Sequence, residues 1–210
     1  MGFSVYFFPI LIKVKEISCL SQFGPCNLNL QNSLDKFEGI NIRDAKRAVK
    51  SVLGADLMTK NYSIHYIIPD KLRVNVIERK AKYALGNLSQ ANLAVVDENG
   101  FIISIEESSN LPTVIKNGDL NSIGEKVSEK ELFALIIINN LFNSYQIKEG
   151  TIENDSLKVE YNQKTSVIFP LSGDPDFLVS SFSLILKKFE SGKIQPKVID
   201  LRFKNPVISE

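Results

Sequence analysis

The chain has 210 residues, 44% of them apolar and 23% charged, and its 25 basic and 24 acidic side chains leave a formal net charge of +1. That balance excludes a general nucleic-acid binder, and the apolar share excludes a disordered chain while allowing one or two hydrophobic cores. One His (His65), two Cys (Cys19 and Cys26) and no Trp leave no set of three or four zinc ligands and no Ser/His/Asp arrangement with a spare His. The charge is unevenly placed: Met1–Ala81 carries 12 basic and 7 acidic residues, Lys82–Glu210 carries 13 and 17. Two domains of opposite sign are therefore expected. No glycine-rich phosphate loop and no His-Glu-x-x-His motif occurs, so no metal, cofactor or small-molecule substrate is expected.

Phe3–Ile12 is uncharged and apolar, and Lys13 and Lys15 follow it directly. The run is shorter than the roughly 20 residues of a membrane-spanning helix, and it lacks the basic lead of a signal peptide. Two readings stay open: the outer end of a membrane anchor, or an apolar lead-in to the first strand. Lys13–Cys19 alternates as a short strand, and a loop with Gly24-Pro25 follows. Leu28, Leu30, Leu34 and Phe37 mark a short helix with Gly39 at its C-terminal cap. A stronger helix is predicted over Ile42–Leu53, capped by Asn41, with Ile42, Ala45, Val49, Val52 and Leu53 on its apolar side and Gly54 beyond its end. Its other side carries Arg43, Lys46, Arg47 and Lys50, a solvated face or a second partner surface. Tyr62, Ile64, Tyr66 and Ile68, then Leu72, Val74 and Val76, alternate on either side of Pro69-Asp70 and predict a hairpin. His65 lies on the opposite face from Ile64 and Tyr66, a position for packing or surface rather than for a base or ligand.

In the second half, Ala94–Asp97 and Phe101–Ile105 predict a hairpin whose Asn99-Gly100 supplies the positive φ values of a tight turn. Leu111–Ile115 reads as a strand. Ser128 and Glu131 form a capping-box pattern ahead of a helix burying Leu132, Leu135, Ile136 and Phe142. Two or three strands follow, the clearest at Leu157–Tyr161 and Ser166–Phe169. Asp174-Pro175 then opens a helix with Leu178, Phe182, Ile185 and Phe189 at helical spacing. The chain closes on a strand from Lys197 to Phe203, continued through Asn205-Pro206 to Val207-Ile208.

Little in this pattern suggests catalysis. Glu106 and Glu107 are adjacent, so a strand would point them to opposite faces, and Asp174 and Asp176 are explained by capping. Ser172-Gly173 lacks the frame of a nucleophile elbow. Cys19 and Cys26, seven positions apart around a Gly-Pro turn, read as a small disulfide loop in an oxidising compartment and as two buried thiols in a reducing one.

The order strand-helix-helix-strand-strand ending in Pro69-Asp70-Lys71-Leu72-Arg73-Val74-Asn75-Val76-Ile77-Glu78-Arg79-Lys80 resembles the POTRA domain of the FtsQ/DivIB family of bacterial cell-division proteins. Val95-Val96-Asp97-Glu98-Asn99-Gly100-Phe101 is similar to the hairpin opening that family's second domain, and Leu111-Pro112 with Gly118 fits its next segment. Val198-Ile199-Asp200-Leu201-Arg202-Phe203 resembles its C-terminal Asp-Leu-Arg-aromatic string. The resemblance implies an α+β fold: an anchor remnant or lead-in over 1–12, a POTRA domain (β-α-α-β-β) over 13–81, and over 82–210 a mixed β domain with a mainly antiparallel sheet and two helices. It implies a non-catalytic scaffold on the extracytoplasmic side of the bacterial cytoplasmic membrane at the division septum. The partners implied are FtsB/DivIC-like and FtsL-like proteins, and the role is to recruit and regulate septal wall synthesis; a POTRA-bearing module of a transport or assembly system is the alternative. In that location Cys19 and Cys26 are expected to be bonded. The partner site is expected on the last strand, at Val198, Ile199, Asp200, Leu201, Arg202, Phe203, Asn205 and Val207. There Ile199, Leu201 and Phe203 would share the face toward the helices, Phe203 reaching the edge and Arg202 offering charge to an acidic partner helix.

Overall fold

The computed structural model describes residues 12–162, 164–192 and 196–209. The expectation for Phe3–Ile12 therefore falls, except for Ile12, outside the described residues. The fold is mixed α+β, with four helices among the described residues and two mainly antiparallel sheets. Contacts divide it into two compact units between Arg79 and Lys80, each with its own core.

In the first unit, β1 (Glu16–Ser21) and β2 (Gly24–Pro25) are followed by helices α1 (Leu28–Asp35) and α2 (Ile42–Ala55), then β3 (Thr59–Ile67) and β4 (Lys71–Glu78). The sheet order is β2-β1-β4-β3. Strand β1 runs parallel to β4, a pairing that needs a long crossover, and the two helices lie in the connection. Asn27 and Asn41 cap the helices by accepting from the backbone N–H of Leu30 and Asp44. The apolar side of α2, with Ala45, Val49 and Leu53, buries against Ile17, Leu72 and Val74 of the sheet. Two helix ends depart from the sequence reading. Helix α1 stops at Asp35, and Gly39 follows further turns rather than capping it. Helix α2 runs through the exposed Gly54 to Ala55, because Asp56 provides the stop: its backbone is extended and its carboxylate accepts from the Thr59 hydroxyl at 2.6 Å.

The second unit contains β5 (Ala81–Asn87), β6 (Gln90–Asp97), β7 (Ile102–Glu106), β8 (Thr113–Lys116), α3 (Glu129–Tyr145), β9 (Glu149–Glu153), β10 (Ser156–Tyr161), β11 (Thr165–Pro170), α4 (Pro175–Gly192), β12 (Val198–Asp200) and β13 (Val207–Ser209). One sheet joins its strands in the order β13-β12-β11-β10-β9-β8-β5-β6-β7. Strand β5 escapes a period-two reading because Tyr83–Asn87 are buried consecutively between two neighbouring strands. Gly86 permits that packing: a Cβ there would stand 2.6 Å from Ile115 Cδ1 and 2.8 Å from Leu93 Cδ2.

Three more expectations need correction. Asn99-Gly100 is not a two-residue turn, since only Gly100 takes a positive φ (80°) and the Asp97 carboxylate accepts from the N–H of both Asn99 and Phe101. The buried side of α3 centres on Ala134, Leu135, Ile137, Ile138 and Leu141, with Leu132, Ile136 and Phe142 only half-buried. The helix packs against both α4 and the sheet, so its buried arc is wider than one stripe. At the other end of this core, Phe182 of α4 meets Tyr145, Tyr161 and Phe169 edge-on with ring centroids 5.3–6.1 Å apart. The closing strand is the third correction and shapes the candidate site.

Candidate functional site

The segment expected to be one strand from Lys197 onward is two. Strand β12 has only Val198–Asp200, pairs parallel with β11, and is covered on its other side by antiparallel β13. Among the described residues the strand that ends the sheet on this side is therefore β13, not β12. Asp200 explains the break. Its Oδ1 accepts from the Arg202 backbone N–H at 3.0 Å and from Arg202 Nε at 2.9 Å, and its Oδ2 accepts from a terminal guanidinium nitrogen at 2.6 Å. This two-pronged clamp bends the chain out of strand geometry, and Asn205-Pro206 then sets the return. The bonds from Arg202 hold the Asp200 carboxyl below its ordinary range despite the opposing effect of burial, and the same bond raises the Arg202 guanidinium.

The bend also separates residues that a continuous strand would have placed on one face. Ile199 and Leu201 are buried in the core, whereas Phe203 is 56% exposed. Its ring lies 5.8 Å from the Arg202 guanidinium carbon, within cation–π range. Val198 is half-buried, and Asn205 is exposed. Val207 and Ile208 on β13 are 54% and 36% exposed. This end of the sheet thus offers backbone with no partner strand among the described residues, three apolar side chains at Phe203, Val207 and Ile208, and a guanidinium already oriented by a carboxylate. Ile208 closes the segment on which the sequence reading places the partner site, and the structure puts it, with Val207, on the edge strand rather than on a continuation of β12.

Other candidates lie apart from this edge. Arg43, Lys46, Arg47 and Lys50 line one flank of α2, where Arg47 reaches Asp44 at 3.3 Å. His65 is exposed and its Nε2 lies 3.1 Å from the Ser63 hydroxyl. Glu106 and Glu107 are exposed, and Asp174 accepts from the N–H groups of Asp176 and Phe177 as a helix cap. Cys19 and Cys26 are disulfide-bonded, with Cα atoms 5.4 Å apart, and pin β1 to the start of α1. A groove of about 570 Å³ lies between α1 and α2, lined by Asn29, Ser33, Phe37 and Val52 among others. Among the described residues no three His, Cys, Asp or Glu side chains gather as a metal site, and no helix is long and apolar enough to cross a membrane.

In comparison with known proteins, no family model matches this chain, and no curated protein matches it.

Proposed function

We propose that this chain is the extracytoplasmic part of a non-catalytic division scaffold of the FtsQ/DivIB type. In this reading the first unit is a POTRA domain, the second is the partner-binding β domain, and the protein sits at the bacterial cytoplasmic membrane at the septum. It binds FtsB/DivIC-like and FtsL-like proteins and so helps recruit and regulate wall synthesis. The observation that carries the reading is the free edge of β13 beside the exposed Phe203. An incoming strand gains main-chain hydrogen bonds from such an edge, and its side chains find apolar ground on Phe203, Val207 and Ile208. The first unit runs β-β-α-α-β-β, which becomes the β-α-α-β-β order of the expected POTRA domain only if the two-residue β2 is left out; this order and the Asp200-Leu201-Arg202-Phe203 string add support.

The test is capture of the FtsB-like protein of the same genome by the purified chain. Phe203→Glu removes an apolar anchor and sets a carboxylate against the edge; Ile208→Pro removes a backbone donor from β13. Both variants should lose capture while their far-ultraviolet circular dichroism matches the parent chain. Undiminished capture by a folded Phe203→Glu variant would move the site off this edge.

A further inference from the structure

The basic flank of α2 has a defined position relative to the apolar run that begins the chain. Ile12, the last residue of that run, accepts a hydrogen bond on its carbonyl from the N–H of Ile42, the first residue of α2, at 3.0 Å. Val14 N–H donates to Ile40 O at 3.0 Å, and Gly39 N–H donates to Val14 O at 2.7 Å. The backbone leaving the apolar run is thus fixed against the start of the helix. Arg43, Lys46, Arg47 and Lys50 stand at i, i+3, i+4 and i+7, so they share an arc of about 100° along about two turns. Lys13 and Ile40 are exposed at the same end, Ile40 by 37%. Arg47 has Asp44 beside it at 3.3 Å, but Lys13, Arg43, Lys46 and Lys50 form no ion pair among the described residues. A cationic stripe in which only Arg47 is ion-paired among the described residues, starting where an apolar segment joins the domain, is complementary to a bilayer surface carrying anionic headgroups.

We infer that this flank of α2 lies on anionic lipid headgroups and orients the first unit on the membrane. The inference rests on the proposed membrane attachment of the chain. The apolar run supplies insertion, and the basic stripe supplies the second, electrostatic contact that selects which side of the unit faces the bilayer. Each basic side chain near such a surface is worth roughly fivefold in binding, so removal of all four should cost on the order of a hundredfold or more.

The full chain is mixed with vesicles of phosphatidylcholine alone and of phosphatidylcholine with phosphatidylglycerol, and the bound fraction is read by co-sedimentation. The parent chain should bind both and strongly prefer the anionic vesicles, and the preference should collapse in high salt as charge is screened. The quadruple variant Arg43→Gln, Lys46→Gln, Arg47→Gln, Lys50→Gln should keep its binding to neutral vesicles and lose the preference. A control with Lys164, Lys187, Lys197 and Lys204 all changed to Gln removes as many charges from the second unit and should retain it. Equal binding of the parent to both vesicles, an unchanged preference in the quadruple variant, or an equal loss in the control overturns the inference. Loss of partner capture by the quadruple variant with its lipid preference intact also overturns it and gives the flank to a protein. Absence of all binding to neutral vesicles, with the anionic preference still mapped to α2, sinks the inserted-anchor reading while leaving the stripe as a lipid contact.

Discussion

Two hairpin connections of the second unit behave oppositely at the level of single residues. Asn99-Gly100 has the composition of a two-residue hairpin turn, yet the buried Asp97 carboxylate gathers the loop around itself and only Gly100 takes a positive φ. The tight hairpin is instead at Asn154-Asp155, between β9 and β10, where both residues are left-handed with φ 46° and 60°. Asp tolerates that region less well than Gly, which hides the turn from a reading that looks for Gly. Asp155 also meets Lys130 at 2.7 Å, but both side chains are more than half exposed, so the pair contributes little. Relief of backbone strain therefore outweighs loss of the pair, and Asp155→Gly is expected to stabilise the second unit by about 0.5–1 kcal/mol. Thermal unfolding checks this, and a lowered melting temperature would show that the Lys130 contact matters more than its exposure suggests.

Elements were legible where a local signal acts alone and obscured where packing overrides it. The capping box at Ser128 and Glu131, the Asp174-Pro175 start and the alternation of β3 and β4 need only neighbouring residues, and each forms where the sequence places it, except that β3 ends at Ile67 and leaves Ile68 82% exposed. Strand β5 has no alternation to read because neighbours bury it on both sides, and the split of the last strand depends on Asp200 turning back onto Arg202. Helix α3 also has a tie that the sequence does not announce. Glu131 Oε2 accepts from the Ser128 N–H at 2.6 Å, while its Oε1 accepts from Lys116 Nζ of β8 at 2.5 Å, both side chains being nearly buried. Burial opposes the charged carboxylate, but the bonds from Lys116 and from the Ser128 N–H and hydroxyl outweigh it and hold the Glu131 carboxyl below its ordinary value of 4.5. A carboxylate whose pKa is lower in the folded state stabilises fully above the unfolded value, and that contribution is lost as pH falls through the lower folded value. Glu131→Gln should therefore cost about 1–3 kcal/mol at neutral pH and flatten the loss of stability on the acid side of 4.5. Parallel melting curves against pH for parent and variant would remove Glu131 from that role.

At the scale of the molecule, the chain has two separate cores, and among the described residues the sheet of the second unit ends on β13 with no strand beyond it. Composition foresaw enough apolar residues for two cores, and periodicity foresaw a mixed α+β fold. The location of the free edge lay beyond both, because it depends on which strand is last in space, and β13 reaches that place only after the bend at Arg202–Asn205. The scaffold reading depends on that edge. Amide hydrogen exchange of the chain with and without the FtsB-like protein tests it most directly, since an added strand must protect the backbone it pairs with. The account expects new protection at Val207–Ser209 and around Phe203, with the Glu16–Glu78 amides of the first unit unchanged. Protection confined to the first unit, or complex formation with no change at Val207–Ser209, would contradict it.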